Sequence, residues 1–342
     1  MDIQAHRKDE HVIIAEKLYK KVAHNGLDEI QLIFDSLPEL ALENIDLSTN
    51  LAGYPIKAPF FVNAMTGGSP ETKKLNRRLA KIAAKNELPM ATGSQSVALT
   101  DPSAANSFKV VREESPNGIV LANLGASHGP KNALAAIQML KAQVLEIHLN
   151  PGQELVMPEG ERSFKWSDNL KELVHTLPVP VLVKEVGGGL SPQTLQKLHE
   201  MGVKYVDLAG SGGTDFIAIE NERRKRKEFS FLEEAGLSTA QSLLVARKFS
   251  ESFSFTASGG IRNALDIVKC LVLGADNVGI SGLFLHTLLK QGDEQLDLLI
   301  RDLKSQIAKI MLLLGCCNIA ELHKTKYVLS AELKSFEKQI NE

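Results

Sequence analysis

From Ala58 onward the chain repeats one texture eight times: a short apolar run ending in Gly, Asn or Ser, then a stretch rich in Lys, Glu, Ala and Leu. A parallel strand buried on both faces reads as such a run, and it needs a helical crossover to reach its neighbour, so the alternation is that of βα units. The spacing predicts strands at 60–64, 89–93, 119–123, 144–150, 181–185, 203–208, 253–257 and 277–280. Eight consecutive units in an α/β chain predict a TIM (β/α)8 barrel, whose active site lies at the C-terminal ends of its strands. The expected organisation is an N-terminal extension over 1–55, the barrel over 56–293 and C-terminal helices over 294–342.

Composition narrows the function classes. Thirty-nine Lys+Arg against 41 Asp+Glu leave a net charge of −2, with no basic excess for nucleic acid. The three cysteines, Cys270, Cys316 and Cys317, leave one over from any pairing and two adjacent, so reduced thiols in a cytoplasm are expected rather than a disulfide framework. The first 20 residues are charged throughout and lack the apolar stretch of a signal peptide. Apolar runs such as 310–314 fall far short of the ~20 residues that span a bilayer, so no membrane role is expected.

The fourth strand shows which face carries chemistry. Leu145, Ile147 and Leu149 suit packing under helices, whereas Glu146, His148 and Asn150 fall on the opposite, inward face. In the seventh, Phe253, Phe255 and Ala257 alternate with Ser254, Thr256 and Ser258. After the sixth, residues 210–234 form a long connection carrying the charge run 222–228, which reads either as a solvated basic face or as a lid over an anionic ligand. Residues 295–314 read as an amphipathic helix, with further helix to the end.

Glycine pairs point to phosphate. Gly259-Gly260-Ile261-Arg262 follows the seventh strand and Gly279-Ile280-Ser281-Gly282 the eighth, the two loops where TIM barrels commonly bind phosphate on backbone N–H groups and a helix N-terminus. No G-x-x-x-x-G-K-[ST] or G-x-G-x-x-G occurs, which disfavours P-loop and Rossmann sites. Met65, Thr66, Ser94, Ser96, Asn123, His148, Asn150, Lys184 and Thr214 stand at strand ends or just beyond, a ring of amide and hydroxyl partners suited to a flavin. A lysine near the flavin N1 edge would stabilise its anionic reduced form, and Lys184 is the candidate; a core lysine salt-bridged to Glu185 or Asp207 is the alternative. Glu154, one carboxylate without clustered His or Cys, suits Mg²⁺, which takes few protein ligands. Arg7, Lys8 and His11 could clamp a diphosphate, although an exposed charged terminus gives the same pattern.

Taken in order, Arg7-Lys8-Asp9-Glu10-His11, Asn63-Ala64-Met65-Thr66-Gly67-Gly68, Gly93-Ser94-Gln95, the segment His148 to Glu154 followed by Met157-Pro158-Glu159-Gly160, Lys184-Glu185-Val186-Gly187 and Gly212-Gly213-Thr214 resemble the type 2 isopentenyl-diphosphate isomerases over about residues 7–330. The resemblance implies an FMN-dependent barrel that interconverts isopentenyl and dimethylallyl diphosphate with Mg²⁺ and a source of reduced flavin, commonly NADPH, and no net redox. It implies FMN contacts at Ala64, Met65, Thr66, Ser94, Asn123, Lys184, Thr214, Gly259, Gly260, Ile261, Arg262, Ile280 and Ser281. It further implies a diphosphate clamp of Arg7, Lys8 and His11 supplied by the N-terminal extension, Gln153 beside the reacting carbons, Glu154 as the Mg²⁺ ligand, and His148 and Asn150 in the polar wall, with Ser94 and Ser96 towards the substrate. Catalytic roles fall on Gln153, His148 and Lys184, and a homotetramer or homo-octamer is expected. Ser96 stands where some relatives carry arginine, and Ala209 where some carry serine.

An FMN-dependent 2-hydroxyacid oxidase shares such a barrel and phosphate loop and is the nearest alternative. It should place a base histidine late in the barrel, whereas no histidine lies between His199 and His286.

Overall fold

The computed structural model describes residues 3–19 and 24–342. Eight parallel strands close into a barrel in sequence order: β1 (Phe60–Val62), β2 (Met90–Ala91), β3 (Val120–Gly125), β4 (Val144–His148), β5 (Val181–Lys184), β6 (Tyr205–Asp207), β7 (Ser254–Ser258) and β8 (Asn277–Ile280), with β8 returning to β1. Each predicted strand is present: β8 as predicted, β7 shifted by one, β3 starting one residue later and running two further, and the others trimmed by one to three residues. The barrel is flanked by helices whose apolar faces join the outward strand residues in one core that includes Phe60, Val62, Leu145, Ile147, Phe255 and Ala257.

The inward faces divide by height. At the N-terminal ends, Phe61, Ala91, Leu121, Val144 and Leu182 pack with Leu51, Ala52 and Ile56 from the antiparallel hairpin Thr49–Leu51/Tyr54–Ile56, which plugs the bottom of the barrel. Asn277 Nδ2 donates to the Asn50 carbonyl at 2.8 Å and ties the hairpin in place. Because strand side chains alternate with period 2, the next inward residues of β4 are Glu146 and then His148, and the interior turns polar towards its upper end.

Two features differ from the sequence expectation. The C-terminal region is not helical throughout: after the helix Asp293–Leu313, the segment Tyr327–Leu329 pairs antiparallel with Ile30–Leu32 before the last helix, Ala331–Asn341. Leu32, Tyr327 and Leu329 pack partly on the core, so the pairing satisfies two edges while covering apolar surface. The 210–234 connection holds a helix, Phe216–Arg223, and its charge run is neither simply a basic face nor free for a ligand. Arg223 pairs with Glu10, Glu159 and Glu220, Arg224 donates to the Val156 carbonyl and Glu228, and Lys17 and Lys227 both pair with Glu222. Lys225 and Arg226 are exposed.

Candidate functional site

Parallel register sets the site. Asn123 of β3 lies level with Glu146 of β4; one step higher, His148, Lys184 of β5 and Asp207 of β6 stand level across three neighbouring strands. Asp207 is fully buried: its Oδ1 accepts from Ser258 Oγ (2.6 Å) and its Oδ2 from Asn63 Nδ2 (2.7 Å), with Lys184 Nζ 3.8 Å away. Lys184 Nζ also donates to the Glu185 carbonyl at 2.8 Å. Lys184 is thus a core lysine beside an anion that also lines the cavity above the barrel.

That cavity, about 340 Å³, falls in the range of small-molecule sites. Asn63, Ala64, Met65 and Lys184 line one part of it, and Thr214, Gly259, Gly260, Ile261, Arg262, Ile280 and Ser281 another. At the latter end backbone meets backbone. A Cβ on Gly259, whose φ is +108°, would stand 2.0 Å from the Gly210 carbonyl oxygen, and one on Gly213 would stand 2.5 Å from Gly260 N. Only glycine permits such an approach, which leaves amide groups near the cavity beside the N-terminus of the helix Gly282–Gln291. Thr66, next along the chain from the lining residue Met65, keeps its Oγ1 buried without a hydrogen-bond partner. The cavity and the glycine cradle fit an aromatic ring system bearing a phosphate.

Arg262 departs from the sequence expectation in how it serves. Its guanidinium is bidentate to Asp28 (both bonds 2.7 Å) and also bonds Asp266, so its side chain fastens the N-terminal segment under the phosphate loop. The two carboxylates hold its proton more firmly than usual. Ala209, just before that loop's partner, has φ +41° and lines the cavity.

Asn123, His148, Asn150, Gln153 and Glu154 lie outside the cavity lining and form a polar wall along the end of β4. The short helix Pro151–Val156 begins directly after the strand with Pro151 at its first position, so Gln153 and Glu154 fall in the first turn. Asn150 Nδ2 donates to Gln153 Oε1 (3.1 Å) and Glu154 Oε1 (2.9 Å), and Glu154 Oε2 accepts from Glu161 N (2.8 Å). Among the described residues no cluster of three His, Cys, Asp or Glu could hold a metal, so a cation on Glu154 would draw its other ligands from water or substrate oxygens. Ser94 Oγ and Ser96 Oγ lie 3.2 Å apart across the mouth.

The N-terminal helix Ile3–Lys17 carries the three expected cations to this wall. Arg7 bonds Met157 Sδ (3.3 Å) and approaches Glu159 (3.5 Å), while its Nε is buried without a partner. Burial, and then the charge of Arg7, lower the Lys8 pKa to about 8. His11 Nε2 lies 2.8 Å from Glu220 Oε1.

Glu220 is the residue that sequence reasoning missed. It is fully buried and collects His11, Arg223 and Gln153, whose Nε2 donates to Oε1 at 3.2 Å. Burial alone would raise its carboxyl, but the bonds from His11 and Arg223 outweigh this and bring it down to about 2. A helix assigned to 216–223, with Glu and Arg three apart, was the signal available. Asp28 and Asn63, the supports of Arg262 and Asp207, were likewise not singled out as supports.

A family model described as FMN-dependent dehydrogenase matches residues 110–329. An isopentenyl-diphosphate delta-isomerase of Latilactobacillus sakei is 48% identical over 334 residues, covering 98% of this chain and 96% of its own. One from Listeria welshimeri is 45% identical, covering 97% and 93%. Among solved structures, a flavocytochrome b2 variant with sulfite bound superposes with a TM-score of 0.66 at 22% identity, over 96% of this chain and 87% of that one. A mandelate oxidase variant with benzaldehyde reaches 0.63 at 15%, over 94% and 91%. At such identities the structural likeness speaks for the barrel alone.

Proposed function

Since this chain belongs to the isopentenyl-diphosphate delta-isomerases within the FMN-dependent dehydrogenase family, we propose that it interconverts isopentenyl and dimethylallyl diphosphate, with FMN in the cavity, Mg²⁺ at Glu154 and NADPH as the reductant. The observation that carries the reading is the joining of two half-sites at one barrel end. Glu220 links His11 of the N-terminal helix to Gln153, and the wall that holds Gln153 runs along the strand whose His148 lies level with Lys184 of the cavity. We further propose a cytoplasmic homotetramer or homo-octamer, in keeping with the family resemblance; among the described residues no helix is long and apolar enough to cross a membrane.

Moving the double bond requires a proton to be added at one carbon of the allyl unit and removed at another, through a tertiary cation-like species. Bound reduced FMN would supply the acid/base group and the negative charge that such a species needs. The chain's own residues do the rest. Lys184 keeps a positive charge at the cavity floor, beside Asp207. Ala64, Met65, Thr66, Asn123 and Ser94 would fix the ring, and the loops at Thr214, Gly259–Arg262 and Ile280–Ser281 its phosphate. Arg7 and Lys8 would neutralise the diphosphate while Ser94 and Ser96 hydrogen-bond it, and Glu154 would hold the cation that offsets its remaining charge, so that the hydrocarbon end is fixed in one orientation. Gln153 is no strong base; held by Asn150 and Glu220, it orients the reacting carbons or passes a proton.

The oxidase reading has the family model and the barrel in its favour but lacks its base. His286 is bonded to Glu16 and stacked on Tyr19, and His199 packs edge-on to Phe253. Anaerobic incubation of isopentenyl diphosphate with the enzyme, FMN, Mg²⁺ and dithionite or NADPH should form dimethylallyl diphosphate only with reduced flavin. Flavin reduction by a 2-hydroxyacid without isomerisation would overturn the proposal.

A further inference from the structure

We propose that Glu146 is a positioning residue, acting through the Asn123 amide to hold His148 as its Nδ1–H tautomer and so to leave Nε2 a bare hydrogen-bond acceptor at the strand ends. Glu146 is fully buried on the inward face of β4, directly above the apolar plug of Leu121, Val144 and Leu182. Its Oε2 is 2.8 Å from Asn123 Nδ2, and its Oε1 has no partner. The inward layer beneath it (Leu121, Val144) and the level neighbour Leu182 are apolar, and burying an incompletely bonded carboxyl costs stability.

The logic follows from counting donors. A carboxylate only accepts, so the Asn123 end facing Glu146 must be Nδ2, and the end facing His148 must be Oδ1. His148 Nδ1 lies 2.9 Å from that oxygen and therefore carries the proton. The ring has only one proton to give, because burial, followed by the charges of Lys184, Lys8 and His128, lowers its pKa to about 3. Nε2 is then unprotonated. It stands beside Gly125, where a Cβ would approach it to 3.3 Å, and His148 lies level with Lys184 of the cavity floor. An acceptor so placed can take an N–H or O–H from the flavin edge, a water or the substrate. The charged groups acting on Glu146 are Lys184 of β5 and Asp207 of β6; burial is the largest influence and raises its carboxyl to about 7. With a proton on the unpartnered Oε1, Oε2 still accepts from Asn123, so a protonated Glu146 is compatible with the same tautomer.

The inference rests on reading this barrel end as the active site, but its test is independent of turnover. In ¹⁵N-histidine-labelled full-length flavoprotein, the His148 ring should show a protonated Nδ1 and a bare Nε2. Glu146→Met, which removes the acceptor at similar volume, should release the tautomer and lower kcat about tenfold with FMN stoichiometry and KM unchanged. Glu146→Gln, which keeps an acceptor oxygen for Asn123, should restore the tautomer and most of kcat. A wild-type ring protonated at Nε2 would overturn the proposal even if no variant folded, as would a Glu146→Met protein that keeps Nδ1–H. Absence of isomerase activity, by contrast, would strike the function and leave the tautomer measurement standing.

Discussion

The two ends of the barrel are built from the same strands and differ by one alternation step. Val144 belongs to the dry plug, whereas Glu146 and His148, two and four residues on, belong to the polar end. At the bottom an apolar cluster of Phe61, Ala91, Leu121, Val144 and Leu182 is enclosed by the hairpin, and the polar Asn277 there is already bonded to Asn50 and Thr256, which leaves little for a ligand to add. At the top, Glu146 Oε1, Thr66 Oγ1 and Arg7 Nε are buried without partners, and the Lys8 pKa is lowered by burial and then by the neighbouring Arg7. The contrast teaches that stability and reactivity are segregated along the barrel axis. The bottom is complete in itself, and the top becomes complete only with its ligands.

The largest expected effect tests the bottom. Leu121 is fully buried in the plug, and Leu121→Ala should cost about 2–5 kcal/mol, as buried leucine truncations do. The midpoint in denaturant measures that loss, while kcat per folded molecule should stay at the wild-type value. A fall in kcat at full occupancy of the folded state would break the segregation, because the plug would then be shaping the site. Lys184→Met makes the opposite demand. Removing a charge aimed at the reacting group should lower kcat about 10²–10³-fold, in line with the loss of one fixed electrostatic contact. Its stability should change far less than that of Leu121→Ala, and an equal loss in both quantities would show that Lys184 is a structural lysine first.

The same contrast explains what could be read without coordinates. Strand number, order and the inward face of β4 were legible because period-2 alternation and turn residues encode them locally. The glycine-lined end of the cavity was legible too, since glycine pairs after the seventh and eighth strands have a positional meaning in a barrel. Long-range pairings were not. That Ile30–Leu32 would meet Tyr327–Leu329, that Asp28 would occupy the Arg262 guanidinium, and that Glu220 would collect His11 and Gln153 depends on residues roughly 70 to 300 positions apart. Composition of a segment says nothing of its distant partner, which is why the 222–228 run read as a solvated basic face or a lid while its cations Arg223, Arg224 and Lys227 pair with the chain's own carboxylates.

The smallest effect sharpens the idea of an end that awaits its ligand. Lys8 titrates near pH 8, because burial and Arg7 disfavour its charged form. A diphosphate beside it favours that form, so binding requires the proton that the free enzyme begins to lose above pH 8. Below that value Lys8 is already protonated and kcat/KM should be flat with respect to this group; above it, kcat/KM should fall up to about tenfold per unit, the slope of a single required proton. Lys8→Arg supplies a cation that stays charged across the accessible range, so the fall should vanish while the plateau drops only modestly. An unchanged alkaline limb in Lys8→Arg would assign the titration elsewhere and show that the cations of the upper end were already satisfied by the protein, as the apolar residues of the lower end are.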